Sequence, residues 1–237
     1  MPRRSPVIIS AASLALSAAL LPAILFPITY LIAAMGGNVA WCIPPLEGCT
    51  DITHTALKTP ESHVFRVAMP FVCGLFVAVW IIACDWIGTH GGAIGRREIR
   101  FRRLGVIAAI GLLVGEMVLQ DRSTLWILHS VGATLFFLLT YAAIVMHSRS
   151  IVELEKSHPG SLSKVSLASK RWIVRALTLM LVLAIAFRVT DWSEGGRILQ
   201  WLSTYSILAY IFTFAFDWRG YRVTLLTPAG HDWTTDT

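Results

Sequence analysis

Charged residues are scarce in this sequence. Asp, Glu, Lys and Arg make up only 14% of it, whereas soluble domains carry about 25%. Hydrophobic residues make up 55%, and the mean hydropathy is +0.65. Because the apolar residues come in long blocks, the composition excludes a soluble globular domain and predicts an all-α polytopic membrane helix bundle.

The net charge of +6 does not indicate a nucleic-acid partner. A basic protein of this size can bind nucleic acid through a clustered patch of Arg and Lys. Here the basic residues lie in loops beside apolar runs, which is the distribution that the positive-inside rule describes. The charge therefore reports membrane topology, and no nucleic-acid partner is predicted.

Motifs of common metal and nucleophile sites are also missing. The sequence contains no HExxH, CxxC or GxSxG pattern. Zinc sites need three or four ligands at set spacings, and His54 and His63 alone do not supply them. Ser130 adjoins His129, but neighbours in a helix point about 100° apart. The sequence predicts no metal and no cofactor.

Six apolar runs are long enough, or nearly so, to cross a bilayer, which takes about 20 helical residues. The predicted spans are 7–35, 64–88, 104–119, 124–147, 171–189 and 198–216. A tight turn is predicted at 120–123 and a loop or surface helix at 148–170. Together these form one domain, 1–222, followed by a flexible tail, 223–237.

Basic residues fall mainly on one side of this layout. That side holds Arg3, Arg4, Arg96, Arg97, Arg100, Arg102, Arg103, Arg149, Lys156, Lys164, Lys170, Arg171, Arg219 and Arg222. The other side holds Lys58, Arg66, Arg122, Arg188 and Arg197. The positive-inside rule places the first side in the cytoplasm. Both termini are therefore predicted to be cytoplasmic, and the loop 36–63 luminal or extracellular.

The loop 36–63 is the one long polar interruption near the start of the chain. It contains Cys42 and Cys49, and in an oxidising compartment such a pair predicts a disulfide. Cys73 and Cys84 lie in the next apolar run, where a thiol most often serves packing. The topology and the cysteine pair thus point to the same side of the membrane.

Two ionisable residues lie inside predicted spans, near the same membrane boundary. Glu116 lies near the end of the third span and His129 near the start of the fourth. Ionisable residues in a membrane are costly and are functional candidates. The loop adds further polar candidates for a lipid-binding site: Asp51, His54, Glu61, His63 and Arg66. Two interpretations stay open, a buried structural pair and a binding or catalytic site with Glu116 and His129 as its catalytic residues.

Three segments, in this order, resemble a known family. They are Asp51–Ala56 with the following Thr59–Ser62 and Val64–Arg66, then Leu128–Phe137, then Phe214–Trp218. They are similar to the luminal loop, the fourth span and the exit of the last span in the DRAM/FRAG-type six-span membrane proteins. That family includes autophagy modulators, fungal plasma-membrane lipid regulators and GPI-anchor post-attachment remodelling proteins.

The resemblance implies a role in membrane-lipid handling, with GPI-anchor lipid remodelling as the most specific version. It also implies an alternative, a non-catalytic regulator or scaffold that acts through protein partners in the membrane. A third hypothesis is a lipid acyltransferase or hydrolase with His129 as general base. The expected partners are membrane lipids, either a phospholipid or a GPI lipid. The expected location is an endomembrane, such as Golgi, ER or lysosome, or the plasma membrane.

Overall fold

The structure is a computed structural model that describes residues 7–91, 94–118 and 125–225. The α-helices are α1 (Ala11–Met35), α2 (Pro44–Glu47), α3 (Glu61–Thr89), α4 (Arg96–Met117), α5 (Leu125–Ser157), α6 (Lys164–Val189) and α7 (Ser193–Asp217). Two short strands, β1 (Val7–Ser10) and β2 (Arg222–Leu225), and a 3₁₀ turn (His54–Ala56) complete the described elements. The predicted all-α helix bundle is confirmed.

Six long helices form a ring in chain order. α1 packs on α3, α3 on α4, α4 on α5, α5 on α6 and α6 on α7, and α7 closes the ring against α1. Of these neighbouring pairs, α5 and α6 approach each other least. The loop between α1 and α3 covers one end of the ring, here called the loop end. The opposite end is called the basic end.

Five described helices are long and apolar enough to cross a membrane: α1, α3, α5, α6 and α7. The exception is α4, whose first two turns are rich in arginine. Its apolar part, 104–117, is shorter than the roughly 20 residues that a bilayer requires. The multi-pass membrane architecture is therefore established, while the count of six spans remains a prediction.

The two ends of the described chain meet at the basic end. β1 pairs antiparallel with β2, with Val7 opposite Leu225 and Ser10 opposite Arg222. The first predicted span thus begins as a strand, and α1 starts only at Ala11, where Ser10 caps the helix by accepting from the Ser13 amide. The predicted domain boundary at 222/223 falls inside β2. The two ends of the described residues therefore lie on one face of the bundle. The common cytoplasmic side of both termini stays a prediction.

Several predicted boundaries differ from the observed helices. α5 continues ten residues beyond its predicted end, through much of the stretch predicted as a loop or surface helix. Arg97 of α4 holds this extension, since its guanidinium donates to the Glu153 carboxylate, with Nη1 and Oε1 2.6 Å apart. The turn predicted at 120–123 and most of the predicted tail lie outside the described residues.

Glycines bring α4 and α5 unusually close at the loop end. A Cβ on Gly132 would lie 2.5 Å from the Gly111 carbonyl oxygen and 2.9 Å from Gly115 Cα. Such close backbone approach through small residues is a common way for membrane helices to pack. It also places the Gly115 carbonyl within reach of His129, one turn before Gly132 on α5.

Candidate functional site

The disulfide turn of the loop is anchored on the start of α7. Cys42 and Cys49 are bonded, so the predicted disulfide is present. Arg197 donates from Nη1 to the Cys49 carbonyl at 3.2 Å, and the Trp201 indole donates to the Thr50 carbonyl at 2.9 Å. Because both donors belong to α7, they hold the residues after the disulfide against the bundle.

Gly48 sets how closely this turn approaches α7. Its φ of 63° lies in the left-handed region that favours glycine. A Cβ at this position would lie 2.4 Å from the Glu194 carbonyl oxygen. Both the conformation and the spacing therefore require a glycine here.

His129 is buried and makes hydrogen bonds through both ring nitrogens. Its Nδ1 lies 3.1 Å from the Gly115 carbonyl oxygen, and its Nε2 lies 3.2 Å from Thr53 Oγ1. A carbonyl oxygen only accepts, so these partners assign the proton to Nδ1. In the neutral form of the ring, Nε2 then accepts from the Thr53 hydroxyl. The ring joins α4, α5 and the loop.

Glu116 lies beside His129 without a hydrogen bond to it. Its Oε1 is 4.0 Å from His129 Nδ1, whose hydrogen points to Gly115. Glu116 Oε2 is buried and has no hydrogen-bond partner among the described residues. The carboxyl borders a small internal cavity of about 40 Å³ that Thr53 also lines. The two predicted span residues are thus brought together, but as neighbours.

Asp51 and His54 form a pair above this site. Asp51 Oδ1 accepts from the His54 amide at 2.8 Å and lies 2.8 Å from His54 Nδ1. Burial alone would raise the pKa of Asp51, but the hydrogen bonds and charge of His54, with the charge of Arg197, lower it below the ordinary value. The His54 ring contacts Trp126 edge-on, with centroids 5.9 Å apart, and Trp126 contacts His129 in turn.

A large cavity opens next to His129, between α5, α6 and α7. Its volume is about 400 Å³, and we call it the lateral cavity. Asp51, Thr53 and His129 line its upper end, under the loop. Farther down, its walls are mainly apolar, with residues such as Phe137, Leu181 and Ile207 interrupted by a few hydroxyls. The cavity therefore has one polar end and a long apolar remainder.

The lateral cavity exists because α6 makes few contacts with α5. The buried residues of α6 are Ser166, Lys170 and Leu177, and none lies farther along the helix than Leu177. Beyond Leu177 many apolar side chains of the helix point outward, such as Val182, which is 58% exposed, and Ile185, which is 60% exposed. Cavity-lining residues on both lips, Leu138 and Ala184, are themselves exposed. The cavity thus opens sideways, toward the surface that faces lipid.

A second, polar cavity of about 290 Å³ continues from the lateral cavity at the loop end, and we call it the polar annex. The two cavities share Asp51, Ala184, Gly196 and Gln200. Arg188 and Arg197 also line the annex. Two guanidinium groups therefore lie next to the polar end of an apolar cavity.

Three predicted loop residues lie elsewhere. Glu61 is fully buried and accepts from the Asn38 amide at 2.8 Å. His63 is exposed and Arg66 is half-buried on α3. Glu61, His63 and Arg66 line neither the lateral cavity nor the polar annex. Among the described residues, no group of three His, Cys, Asp or Glu side chains is placed to hold a metal ion.

Thr53, Gln200 and Arg197 are site residues that the sequence reasoning did not select. Each has a side chain common at membrane boundaries, and only the folded loop brings them together. Arg197 carried a signal, because it is a charge directly before the predicted apolar span 198–216. Its role appears only when the loop packs on α7.

The sequence reasoning also missed a buried polar group at the basic end. The Lys170 ammonium donates to Asp217 and, at 3.0 Å, to Ser166 Oγ. His147 Nδ1 lies 2.8 Å from the Tyr210 hydroxyl. We call these five residues the basic-end cluster. It joins α5, α6 and α7, and none of its members lines the lateral cavity or the annex.

Comparison with known proteins identifies the family. The family model described as Frag1/DRAM/Sfk1/Cwh43P N-terminal domain matches residues 10–221, nearly the whole described chain. No curated protein and no solved structure matches the chain. The match covers the disulfide loop, the lateral cavity and the basic-end cluster together, and it confirms the family predicted from the three segments. The chain is therefore a multi-pass membrane protein that belongs to the Frag1/DRAM/Sfk1/Cwh43P family.

Proposed function

We propose that this protein binds a membrane lipid in the lateral cavity and acts in membrane-lipid handling. The single observation that carries the proposal is the shape of that cavity. It opens sideways between α5 and α6 and is apolar along its length. Its polar end lies under the loop, at Asp51, Thr53 and His129. An acyl chain enters such a space from the bilayer while the headgroup stays at the membrane boundary.

The most specific version of this proposal is GPI-anchor lipid remodelling. Its support is membership of a family that includes post-attachment remodelling proteins, together with a candidate lipid site at the predicted luminal end. GPI anchors lie on the luminal or outer face, so a substrate would reach the cavity from the side on which the loop is predicted. A scaffold that works only through protein partners would not require this cavity.

Lipid that purifies with the protein tests the proposal. The protein extracted in mild detergent is expected to retain lipid that mass spectrometry identifies at about one per chain. Ala184→Trp places an indole at the mouth of the cavity and is expected to remove most of that lipid. Ala186→Trp is the matched control, since Ala186 is exposed on the same helix and does not line the cavity. Equal lipid content in both variants and the wild type would contradict the proposal.

A second candidate function is lipid acyl transfer or hydrolysis, favoured by the contact between Thr53 and His129. In its neutral form the ring presents Nε2 as an acceptor to the Thr53 hydroxyl, which is the relation between a base and a nucleophile. In this reaction Thr53 Oγ would attack an ester carbonyl, and its proton would pass through His129 to the departing alcohol. Water or a second alcohol would then release the acyl group.

Conservative changes at Thr53 distinguish this candidate from simple binding. Thr53→Ser keeps a hydroxyl and is expected to keep turnover, whereas Thr53→Val keeps the shape and should abolish it. Both variants should retain lipid. Release of lysolipid or transfer of a labelled acyl chain by purified protein is the measurement. Normal turnover by Thr53→Val would exclude Thr53 as the nucleophile.

A further inference from the structure

We infer that Arg188 and Arg197 bind the phosphate group of a lipid whose acyl chain occupies the lateral cavity. This inference rests on the proposed function and names the chemical class of the lipid. The polar annex meets the lateral cavity through four shared lining residues, Asp51, Ala184, Gly196 and Gln200. A headgroup in the annex and a chain in the lateral cavity can therefore belong to one molecule.

The hydrogen-bond donors of Arg188 and Arg197 favour a phosphate in the annex. Arginine stays protonated at all physiological pH values, and its planar donors match phosphate oxygens. Within the described residues, no carboxylate lies within 4.0 Å of either guanidinium. The two acidic residues that line the annex are Asp51, which accepts from His54, and Asp191, in the turn after α6. The arginines thus keep donors that a phosphate can use.

The two arginines differ in how the protein holds them. Arg197 is half-buried and uses Nη1 to hold the Gly48 and Cys49 carbonyls. It therefore sits at a fixed place at the inner wall of the annex. Arg188 is exposed at the end of α6. We expect Arg197 to provide a fixed contact and Arg188 to close on the phosphate from the membrane side.

The test compares lipids that differ only in the phosphate. Full-length protein, stripped of lipid in detergent, is titrated with dioctanoyl phosphatidic acid, with dioctanoylglycerol and with inorganic phosphate, and binding is followed by calorimetry. The phosphate-bearing lipid should bind at least about tenfold more tightly than dioctanoylglycerol, since a charge-assisted contact contributes that much. Arg188→Gln should remove most of this difference and leave dioctanoylglycerol binding unchanged.

Two further variants keep the result interpretable. Lys58→Gln removes an exposed basic residue of the same loop end that lines neither cavity, and it should bind like the wild type. Arg197→Lys keeps a positive charge and a donor for the loop carbonyls, so it should fold and lose part of the phosphate preference. A Lys58→Gln loss equal to that of Arg188→Gln would mean general surface attraction and would overturn the inference.

The remaining outcomes separate this inference from the proposed function. Equal binding of the two lipids by the wild type would overturn the phosphate site and leave the lipid cavity intact. Binding of inorganic phosphate as tightly as the phosphate-bearing lipid would assign the arginines to a free ion and also overturn it. No binding of either lipid would contradict the proposed function itself.

Discussion

The two ends of the bundle both bury polar side chains, but they use them differently. At the basic end, Lys170 is paired with Asp217 and Ser166 and is packed over the Phe214 ring at 5.1 Å. At the loop end, the Glu116 carboxyl makes no such close pair, since its Oε1 lies 4.0 Å from His129 Nδ1 and makes no hydrogen bond to it. There, Thr53 and His129 border an open cavity.

This difference between the two ends assigns a structural role to the basic-end cluster and a binding role to the loop end. A buried ion pair joins α6 to α7 and holds the first half of α6 in the ring. Past Leu177 no described residue of α6 is buried, and the ring opens. The closed cluster therefore fixes one end of α6, which leaves the other end free to form the wall of a cavity. The predictions below test this division.

The largest expected effect is on folding at the basic end. Lys170→Met should leave the Asp217 carboxylate buried without its cation, and breaking a buried pair in this way typically costs about 3–5 kcal/mol. The yield of monodisperse protein and its thermal midpoint should fall sharply. The double variant Lys170→Met with Asp217→Asn should recover part of the loss. A normal midpoint in the single variant would contradict a structural role for the cluster.

A smaller loss is expected where α4 meets α5. Gly132→Ala would place a Cβ 2.5 Å from the Gly111 carbonyl oxygen, so the helices must separate. Overpacking of this kind costs about 1–3 kcal/mol. Gly111→Ala is the matched control, because its Cβ would meet Gly132 only at an ordinary 3.7 Å. Thermal midpoints of the two variants measure the difference, and equal midpoints would show that the interface adapts.

His129→Ala should affect function more than folding. It removes two hydrogen bonds, each contributing about 1 kcal/mol, and it breaks no close ion pair. The thermal midpoint should therefore fall less than in Lys170→Met. In cells that lack the protein, however, the variant should fail to restore the normal membrane lipids that the wild type restores. Full rescue with normal folding would mean that the loop-end site serves neither role.

The smallest expected effect concerns pH and Asp51. The pKa of Asp51 is lower in the folded protein than its ordinary value in an unfolded chain. The ionised carboxylate therefore stabilises the fold fully at any pH above the ordinary pKa. This stability is lost as the pH falls below the ordinary range of about 4 and through the lowered pKa. Asp51→Asn should have a lower thermal midpoint than the wild type at pH 7. Its midpoint should also fall less than that of the wild type between about pH 5 and pH 3, the range in which an Asp with a lowered pKa titrates. Parallel declines in the two proteins would show that Asp51 does not contribute.

The sequence predicted what depends on composition and local pattern. Apolar runs located the long helices, and the cysteine pair with its polar loop indicated the disulfide. It did not predict that Ser148–Ser157 continues α5, because this polar stretch is held as a helix by tertiary contacts, such as that between Arg97 and Glu153 and the burial of Ile151 and Leu154. Nor did it predict that β1 pairs with β2, since those segments lie at opposite ends of the chain.

Of the candidate site, the sequence predicted only the residues that stand out by their local pattern. Glu116 and His129 stood out because charge is rare in apolar runs. Thr53 and Arg197 did not, since their positions depend on how the loop folds onto α7. The lateral cavity depends on the sparse contact between α5 and α6, which hydropathy does not encode. Glu61 was selected for its charge, yet its contact is with Asn38, away from the cavity.

Photocrosslinking tests the central claim most directly. A phospholipid with a diazirine near the end of one acyl chain is reconstituted with the full-length protein, irradiated, and the crosslinked residues are mapped by mass spectrometry. Binding in the lateral cavity predicts crosslinks concentrated at Phe137, Leu138 and Leu181, which line it, and their loss in Ala184→Trp but not in Ala186→Trp. Crosslinks spread evenly over exposed apolar residues of all helices, such as Ile24 of α1, and unchanged by Ala184→Trp, would contradict it.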